Sequence, residues 1–271
     1  MSTIQELLCF GALPGGGNPA LVIEGDNSDA AARLAFARQR RSTCVFIAPG
    51  DDADADAAFT LDYFYPHMRS PLCLHATLAA AHLLFSRAPH TARIRVRSAV
   101  RGQALDLLNT ADGLFIGLAA QDGAPPAIDA GLPGALLGEP GIALASAPAV
   151  ASVGSPKLLL QVADGAALRA LRPNLELIAA WGRAHGVSGC YAYCARPDGA
   201  YEGRNFNHLD PALEDSATGV AAGALALHLG RDLRLYQGHW LGQACLIQAR
   251  LREGRVLVGG AVTPGGVVHP S

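Results

Sequence analysis

Two alanine-rich segments constrain the fold more than any other feature of this sequence. ATLAAAHLLF (76–85) and ATGVAAGALALHL (217–229) have the composition of helices but are apolar on nearly every side. A helix without a polar face has to be buried all round by other elements. Each segment therefore predicts a central helix, and the rest of the chain must supply the elements that enclose it.

Strand-like segments flank both predicted helices. In the first half, IQELLCFG (4–11), ALVIE, CVFIAP and AAFTLDYFYP precede the helix, and IRVRSAV, QALDLL and GLFIGLAA after it predict an antiparallel meander with a hairpin turn at 109–113. In the second half the predicted strands are LLLQVA, VSGCYAYC, YEGRNFNHL, QACLIQARL and RVLVGGAV. The sequence thus predicts a sheet around one central helix in each half.

Shorter helices are predicted outside these sheets. One begins after Ser28, the predicted N-cap, with Asp29 in its first turn and Ala31, Leu34 and Ala35 as its apolar face. Two others are predicted near 165–171 and 174–184.

A weak internal repeat suggests two similar halves. The central helices open alike, with ATLAAA at Ala76 and ATGVAA at Ala217, although two alanine-rich helices can also match by chance. The stretch QDGAPPAIDAGLPG is rich in proline and glycine and lacks periodicity, which is typical of a linker. The predicted division is a first half at 1–120, a linker at 121–134 and a second half at 135–271, with the option that the last residues return to the first half.

Charge and hydropathy limit the partners of this chain. Twenty-one basic residues face 23 acidic ones, and no basic stripe indicates nucleic-acid binding. No apolar run approaches the ~18 residues needed to span a bilayer, and MSTIQELLCFG lacks the basic start of a secretory signal. We therefore expect a cytoplasmic protein without nucleic-acid or membrane partners. The charged share of 16%, against about 25% usually, favours association into a homodimer.

The sequence lacks the patterns of common metal and cofactor sites. None of the six cysteines forms a CxxC pair, and Cys190 and Cys194 are predicted as buried thiols on one face of a strand. The acidic run DDADADA (51–57) lacks the glycine and terminal glutamate of a calcium loop. GALPGGGNP lacks the spacing of a dinucleotide fingerprint and opens no helix. We expect no metal and no organic cofactor.

Residues that can move protons stand close to the starts of both central helices. Helix N-termini present free N–H groups and a partial positive charge, which suit a carboxylate. Cys73 and His75 lie at one predicted helix start, and Glu214 and Asp215 lie at the other. If both helix starts face one cleft, these groups can transfer a proton on a small acid without a cofactor.

Four motifs, in order along the chain, resemble those of the PhzF-like phenazine-biosynthesis family. They are FGALPGGGNPALVIE, FYPHMRSPLCLHATLAAA, GRNFNHLDPALEDSATGVAAGALALHL and the closing segments YQGHWLGQACLIQARL and VLVGGAV. The resemblance implies an α+β, diaminopimelate-epimerase-like fold. Such a fold has two pseudo-equivalent domains, each a mostly antiparallel, barrel-like sheet around a central helix. It also implies a cofactor-independent isomerase that acts by proton transfer on a small-molecule carboxylate.

The sequence departs from the family pattern at several motif positions. Thr43 falls where the family usually has a catalytic glutamate, and threonine cannot serve as a carboxylate base. Leu74 replaces a glycine, Val220 replaces a serine, and GQAC (242–245) replaces a closing Gly-Arg-Pro-Ser. The phenazine-type reaction therefore cannot be carried over unchanged.

Each predicted catalytic residue has a structural alternative. Asp215 is either the general acid/base or the N-cap of the second central helix. His75 matches the family histidine that contacts substrate, or is a core histidine. Cys73 occupies the position of the thiol in related epimerases, or is an unused cysteine. Glu214 is predicted to be structural.

The remaining predicted site residues bind substrate; they are Asn18, Thr43, Cys44, Leu74, Thr218, Gly219 and Val220. A racemase with two symmetric thiols is excluded, because no cysteine lies near the second helix start. What remains is a proton shift by Asp215, with His75 or Cys73. The alternatives are a noncatalytic small-acid binding protein on the same scaffold, and a lyase or cyclase that uses the same acid/base site.

Overall fold

A computed structural model of the chain describes residues 2–50, 57–121, 123–207 and 214–266. Most of the acidic run at 51–57, and the end of the segment YEGRNFNHL beyond residue 207, lie outside the described residues. The fold is mixed α/β, and contacts divide it into two compact units. The first unit is Met1–Leu118 with Leu257–Ser271, and the second is Ala119–Val256. That the two units are pseudo-equivalent stays a prediction.

The first part of the chain, up to residue 119, contains two helices and eight strands among its described residues. In chain order they are β1 Thr3–Cys9, β2 Asn18–Glu24, α1 Ala30–Arg40, β3 Thr43–Pro49, β4 Phe59–Phe64, β5 Arg69–Ser70, α2 Leu74–Arg87, β6 Arg93–Ser98, β7 Ala104–Thr110 and β8 Gly113–Ala119.

The second part of the chain carries the other helices and strands. They are α3 Leu132–Leu137, β9 Ala149–Ala151, β10 Lys157–Gln161, α4 Gly165–Ala170, α5 Leu175–His185, β11 Cys190–Ala195, β12 Tyr201–Phe206, β13 Glu214–Asp215, α6 Gly219–Leu229, β14 Leu233–Gln237, a short 3₁₀ helix His239–Leu241, β15 Cys245–Arg252, β16 Arg255–Gly259 and β17 Val262–Pro264.

In the first unit, α2 is enclosed by a mostly antiparallel sheet. Strand β1 pairs antiparallel with both β2 and β17, β2 pairs parallel with β3, and β6, β7 and β8 form the predicted meander. Helix α2 packs against β1, β2, β3, β7 and β17. All residues from Leu74 to Ala81 are buried, which confirms the prediction of a helix buried all round.

In the second unit, the sheet carries helices on both faces. Helix α6 packs against β9, β10, β14 and β15, and it is buried over most of its length. On the opposite face, Cys190 and Cys194 pack with residues of α3, α4 and α5. The alternation of β11 therefore puts both cysteines on one face, as the sequence predicts.

The predicted start of α1 is wrong by one residue. The carboxylate of Asp29, not the hydroxyl of Ser28, accepts the N–H of Ala32 at 2.8 Å and caps the helix. The hydroxyl of Ser28 instead donates to Asp26 at 2.8 Å.

The predicted apolar face of α1 is confirmed at Leu34 and wrong at Ala31 and Ala35. Ala31 and Ala35 are exposed, and the helix buries Ala37 with Leu34 and Phe36 packed nearby. Packing against β4 selects this face, which a short alanine-rich pattern cannot specify.

The glycine-rich turn between β1 and β2 needs glycine for steric reasons. Gly17 has φ of 126°, and a Cβ there would meet the carbonyl oxygen of Cys9 at 2.9 Å. This turn brings Asn18, the first residue of β2, opposite Cys9 on β1. Among the described residues no helix is long and apolar enough to cross a membrane.

Candidate active site

A thiol and an imidazole lie in contact at the start of α2. Cys73 is the N-cap residue and makes no side-chain capping bond; its Sγ lies 3.3 Å from Nδ1 of His75. Both side chains are buried, with 2% and 5% of their surface exposed. A thiol and an imidazole at this distance can share or exchange a proton.

Buried hydroxyl groups hold this helix start in place. The hydroxyl of Thr77 donates to the carbonyl oxygen of Cys73 at 2.8 Å, and the hydroxyl of Tyr63 lies 2.7 Å from that of Thr77. Burial raises the pKa of the Tyr63 phenol, so it stays neutral and serves as a hydrogen-bonding group. These two hydrogen bonds hold the backbone at Cys73 in position.

Asp215 lies at the start of α6, but it is not the N-cap. The N-cap is Thr218, and its hydroxyl donates to Oδ2 of Asp215 at 2.7 Å instead of capping the helix. The alternative interpretation of Asp215 as a helix cap is therefore wrong. The reason is that Asp215 belongs to β13 and pairs with Asn205 of β12, so the chain stays extended there and the helix begins only at Gly219.

The same geometry corrects the register of the internal repeat. Ala76 is the third residue of α2, whereas Ala217 precedes the N-cap of α6. The residues that stand at equivalent positions, directly before a buried helix, are Cys73 and Thr218. His75 lies within the first turn of its helix, and Asp215 lies three residues before the cap of the other.

Gln237 connects Asp215 to the sheet and was not singled out from the sequence. Its side-chain N–H donates to the carbonyl oxygen of Asp215 at 2.7 Å and to the hydroxyl of Thr218 at 3.0 Å. Its carbonyl oxygen accepts the hydroxyl of Tyr191 at 3.0 Å and the N–H of Thr218 at 3.3 Å. Only 1% of Gln237 is exposed, so this amide fixes the start of α6 without competition from water.

The neighbouring carboxylate, Glu214, is engaged elsewhere. Nε and Nη2 of Arg204 donate to its two oxygens at 2.9 and 2.7 Å. Such a bidentate pair is a strong structural interaction. The geometry agrees with a structural part for Glu214.

The predicted binding residues occupy defined places within the two units. Asn18 is buried at the start of β2, Thr43 is half-buried at the start of β3, and Leu74 is the buried first residue of α2. Gly219 and Val220 are the first two residues of α6, where helix geometry leaves N–H groups without intrahelical acceptors.

Cys44 and most other thiols are poor proton carriers near neutral pH. Burial raises the pKa of Cys44 to about 12, and it raises the pKa of Cys190 and Cys245 to about 12 as well. Sγ of Cys44 donates to the carbonyl oxygen of Ser42 at 3.6 Å. All six cysteines are free thiols, and within the described ranges no group of three or more metal-ligating side chains is placed to hold a metal ion.

Sequence reasoning missed the polar residues on the sheet beneath α6: Lys157, Tyr191, Asn205 and Gln237. Asn205 and Gln237 stand within the quoted motifs and Lys157 and Tyr191 stand outside them, but no spacing along the sequence shows that these four residues meet on one sheet. One signal was available: Lys157 is the only lysine in the chain, whose other basic residues are all arginines.

Comparison with solved structures shows which class of fold this chain has. The fold is similar to that of a PhzF-family phenazine biosynthesis protein from Bacillus anthracis, with a TM-score of 0.80 and 16% identity over 97% of both chains. It is also similar to a predicted epimerase from Pseudomonas aeruginosa, with a TM-score of 0.77 and 28% identity over 97% of this chain and 96% of that one.

The sequence assigns the chain within this class. A family model described as phenazine biosynthesis-like protein matches residues 8–264, and the chain belongs to this PhzC-PhzF family. A relative from Deinococcus radiodurans, described as an uncharacterized isomerase, is 28% identical over 279 residues, which cover 89% of this chain and 84% of the relative.

Proposed function

We propose that this chain is a cofactor-independent isomerase that moves a proton on a small carboxylate-bearing metabolite, with Asp215 as its general acid/base. Membership of the PhzC-PhzF family and the relatives described as isomerases support this reaction class. The observation that carries the proposal is the position of the Asp215 carboxylate at the start of the buried helix α6, oriented by the hydroxyl of Thr218.

The surroundings of Asp215 suit an anionic substrate. The N–H groups of Gly219 and Val220, at the positive end of the helix dipole, are suited to bind a substrate carboxylate. Proton abstraction breaks a C–H bond, places the proton on Asp215 and leaves the electron pair delocalised into the substrate. Donation of a proton to another carbon, or to the other face of the same carbon, completes the isomerisation.

The Cys73–His75 pair is proposed as the second proton-transfer group. The 3.3 Å contact between Sγ and Nδ1 supports this assignment, because either group can deliver a proton and be restored by the other. Thr43, proposed to stand in place of the family's usual glutamate, contributes binding and no proton transfer. Asn18, Cys44 and Leu74 are proposed to bind substrate.

Exchange of substrate hydrogen for deuterium tests the proposal without knowledge of the product. A panel of small carboxylates is incubated in D₂O with the protein, and incorporation is followed by NMR. In Asp215→Asn, exchange on the best substrate is expected to fall by about 10²–10⁴-fold, because the amide cannot carry the proton. The amide oxygen still accepts the hydroxyl of Thr218, so the start of α6 is retained. Thr43→Ala is the matched control, and its rate of deuterium exchange should fall far less.

Near-normal exchange in Asp215→Asn would overturn the assignment and leave Cys73 and His75 as candidates. The replacement proposed at Thr43 favours one alternative, a noncatalytic small-acid binding protein, which would bind a carboxylate without catalysing exchange. A lyase or cyclase would give a product of different connectivity, visible in the same spectra.

We also propose that the protein is a homodimer. A monomer mass in solution that does not change with protein concentration would exclude this.

A further inference from the structure

A fully buried amide beside Asp215 has no hydrogen-bond partner among the described residues. It belongs to Asn205 on β12, and none of the surface of this residue is exposed. Neither Nδ2 nor Oδ1 of the side chain has a partner in the part of the chain that the structure describes. Burial of an amide without partners destabilises a folded protein, which is why almost all buried polar groups are paired. An unpaired donor and an unpaired acceptor on one side chain therefore indicate a partner from outside the chain.

Strand pairing places this amide next to the side chain of Asp215. Asn205 pairs directly with Asp215 of β13 on one side and with Tyr191 of β11 on the other, both antiparallel. Residues directly opposite each other project to the same face of a sheet, with their Cβ atoms about 4.5–5.5 Å apart. The next residue, Phe206, packs with Cys190 on the opposite face. A molecule held at the Asp215 carboxylate is thus within reach of the Asn205 amide.

The polar groups around Asn205 are already committed to one another. Two backbone groups fix the orientation of the Gln237 amide, because its oxygen must face the N–H of Thr218 and its nitrogen must face the carbonyl oxygen of Asp215. The hydroxyl of Tyr191 then donates to that amide oxygen, and the hydroxyl of Thr218 donates to the Asp215 carboxylate. Because each hydroxyl has one proton to donate, neither of them donates to the oxygen of Asn205.

We propose that Asn205 contacts the substrate and selects carboxylates that carry a second hydrogen-bonding group near the carbon that exchanges its proton. This inference rests on the proposed function, because a substrate bound at Asp215 is what brings such a group to the amide. An amide offers two N–H donors and one carbonyl acceptor, so a substrate hydroxyl group can donate to its oxygen or accept from its nitrogen. A substrate without such a group leaves the amide unpaired and binds less well.

Stability is the first measurement that tests this proposal. Leucine has the same branched skeleton as asparagine, with methyl groups in place of the amide nitrogen and oxygen. If the amide is unpaired in the free protein, Asn205→Leu should raise the urea midpoint of unfolding at constant slope. Gln237→Leu is the matched control, because it removes an amide that makes four hydrogen bonds, and it should lower the midpoint. Asn205→Val, with a smaller side chain, guards against a steric effect of leucine.

Substrate binding should change in the opposite direction from stability. The probes are pairs of small carboxylates that differ by one hydroxyl group, such as propionate with lactate and succinate with malate, and calorimetry measures their affinity. The wild type should favour the hydroxylated member of at least one pair. In Asn205→Leu the affinity for that member should fall by about 10–100-fold, and the affinity for the other member should fall far less. A purely structural part for Asn205 would not produce a variant that is more stable and binds substrate less well.

Three results would overturn the inference. Urea midpoints below that of the wild type in both Asn205→Leu and Asn205→Val would show that the amide is paired in the free protein, by the chain or by a trapped water molecule. Unchanged affinities in a stabilised Asn205→Leu would show that the amide does not contact the substrate. Lack of a preference for the hydroxylated member in every pair would remove the proposed selectivity.

Deuterium exchange on the same probes separates this inference from the proposed function. If Asp215→Asn abolishes exchange and Asn205→Leu binds every probe as the wild type does, the proposed function stands and this inference fails. If Asn205→Leu weakens binding while Asp215→Asn still catalyses exchange, the contact between Asn205 and the substrate stands and the proposed function fails.

Discussion

Replacement of Gln237 by leucine tests whether one buried amide holds the start of α6 and the backbone of Asp215. The substitution roughly preserves volume but removes four hydrogen bonds, two donated by the side chain and two accepted by it. Tyr191 is fully buried and Thr218 is 6% exposed, so neither group regains a bond to water easily. Stranding a buried polar group costs about 1–3 kcal/mol.

Three groups lose a partner in this variant: the hydroxyl of Tyr191, the N–H of Thr218 and the carbonyl oxygen of Asp215. The hydroxyl of Thr218 keeps its bond to the Asp215 carboxylate. Because such costs within one network are not additive, we expect the free energy of unfolding to fall by about 3–5 kcal/mol.

Urea unfolding followed by circular dichroism measures this change from the shift of the midpoint at constant slope. Gln248→Leu is the matched control, because Gln248 lies on the adjacent strand β15, is half-buried and accepts one bond from Arg250. The free energy of unfolding of this control should fall by less than about 1 kcal/mol. A loss in Gln237→Leu no larger than that of the control would refute the argument that this amide organises the site.

Two further predictions concern the same unit. Gly203→Ala should lower the free energy of unfolding by about 1–3 kcal/mol, because the added Cβ would overlap the ring and hydroxyl of Tyr191. Thermal unfolding measures the change. Gly123→Ala is the control, because no atom lies within 4 Å of the Cβ added there. Burial lowers the pKa of Lys157 from 10.5 to about 8 in the folded protein. Between these pH values the unfolded chain binds the proton more strongly than the folded chain does. The free energy of unfolding should therefore rise with pH in the wild type, compared with Lys157→Met. A stability difference between the two proteins that stays constant over this range would contradict the second prediction.

The sequence alone determined the elements whose pattern is local. ATLAAAHLLF and ATGVAAGALALHL could be stable only as buried helices, and α2 and α6 are buried as expected. The strands that alternate or run apolar, including the meander β6–β8, also follow from pattern, because the side-chain period of a strand is visible in a few residues. The ordered motifs were sufficient to indicate the family.

The tertiary structure decided where each helix begins and which polar residues meet. Pairing of Asp215 with Asn205 keeps the chain extended and delays α6 to Gly219, so the cap is Thr218. Gln237 reaches Asp215 from 22 residues away, and Lys157 comes to the same face only through the register of three strand pairs. Contacts between residues distant in sequence leave no periodic signature, which is why the motif could suggest Asp215 while its supporting residues became visible only in the folded chain.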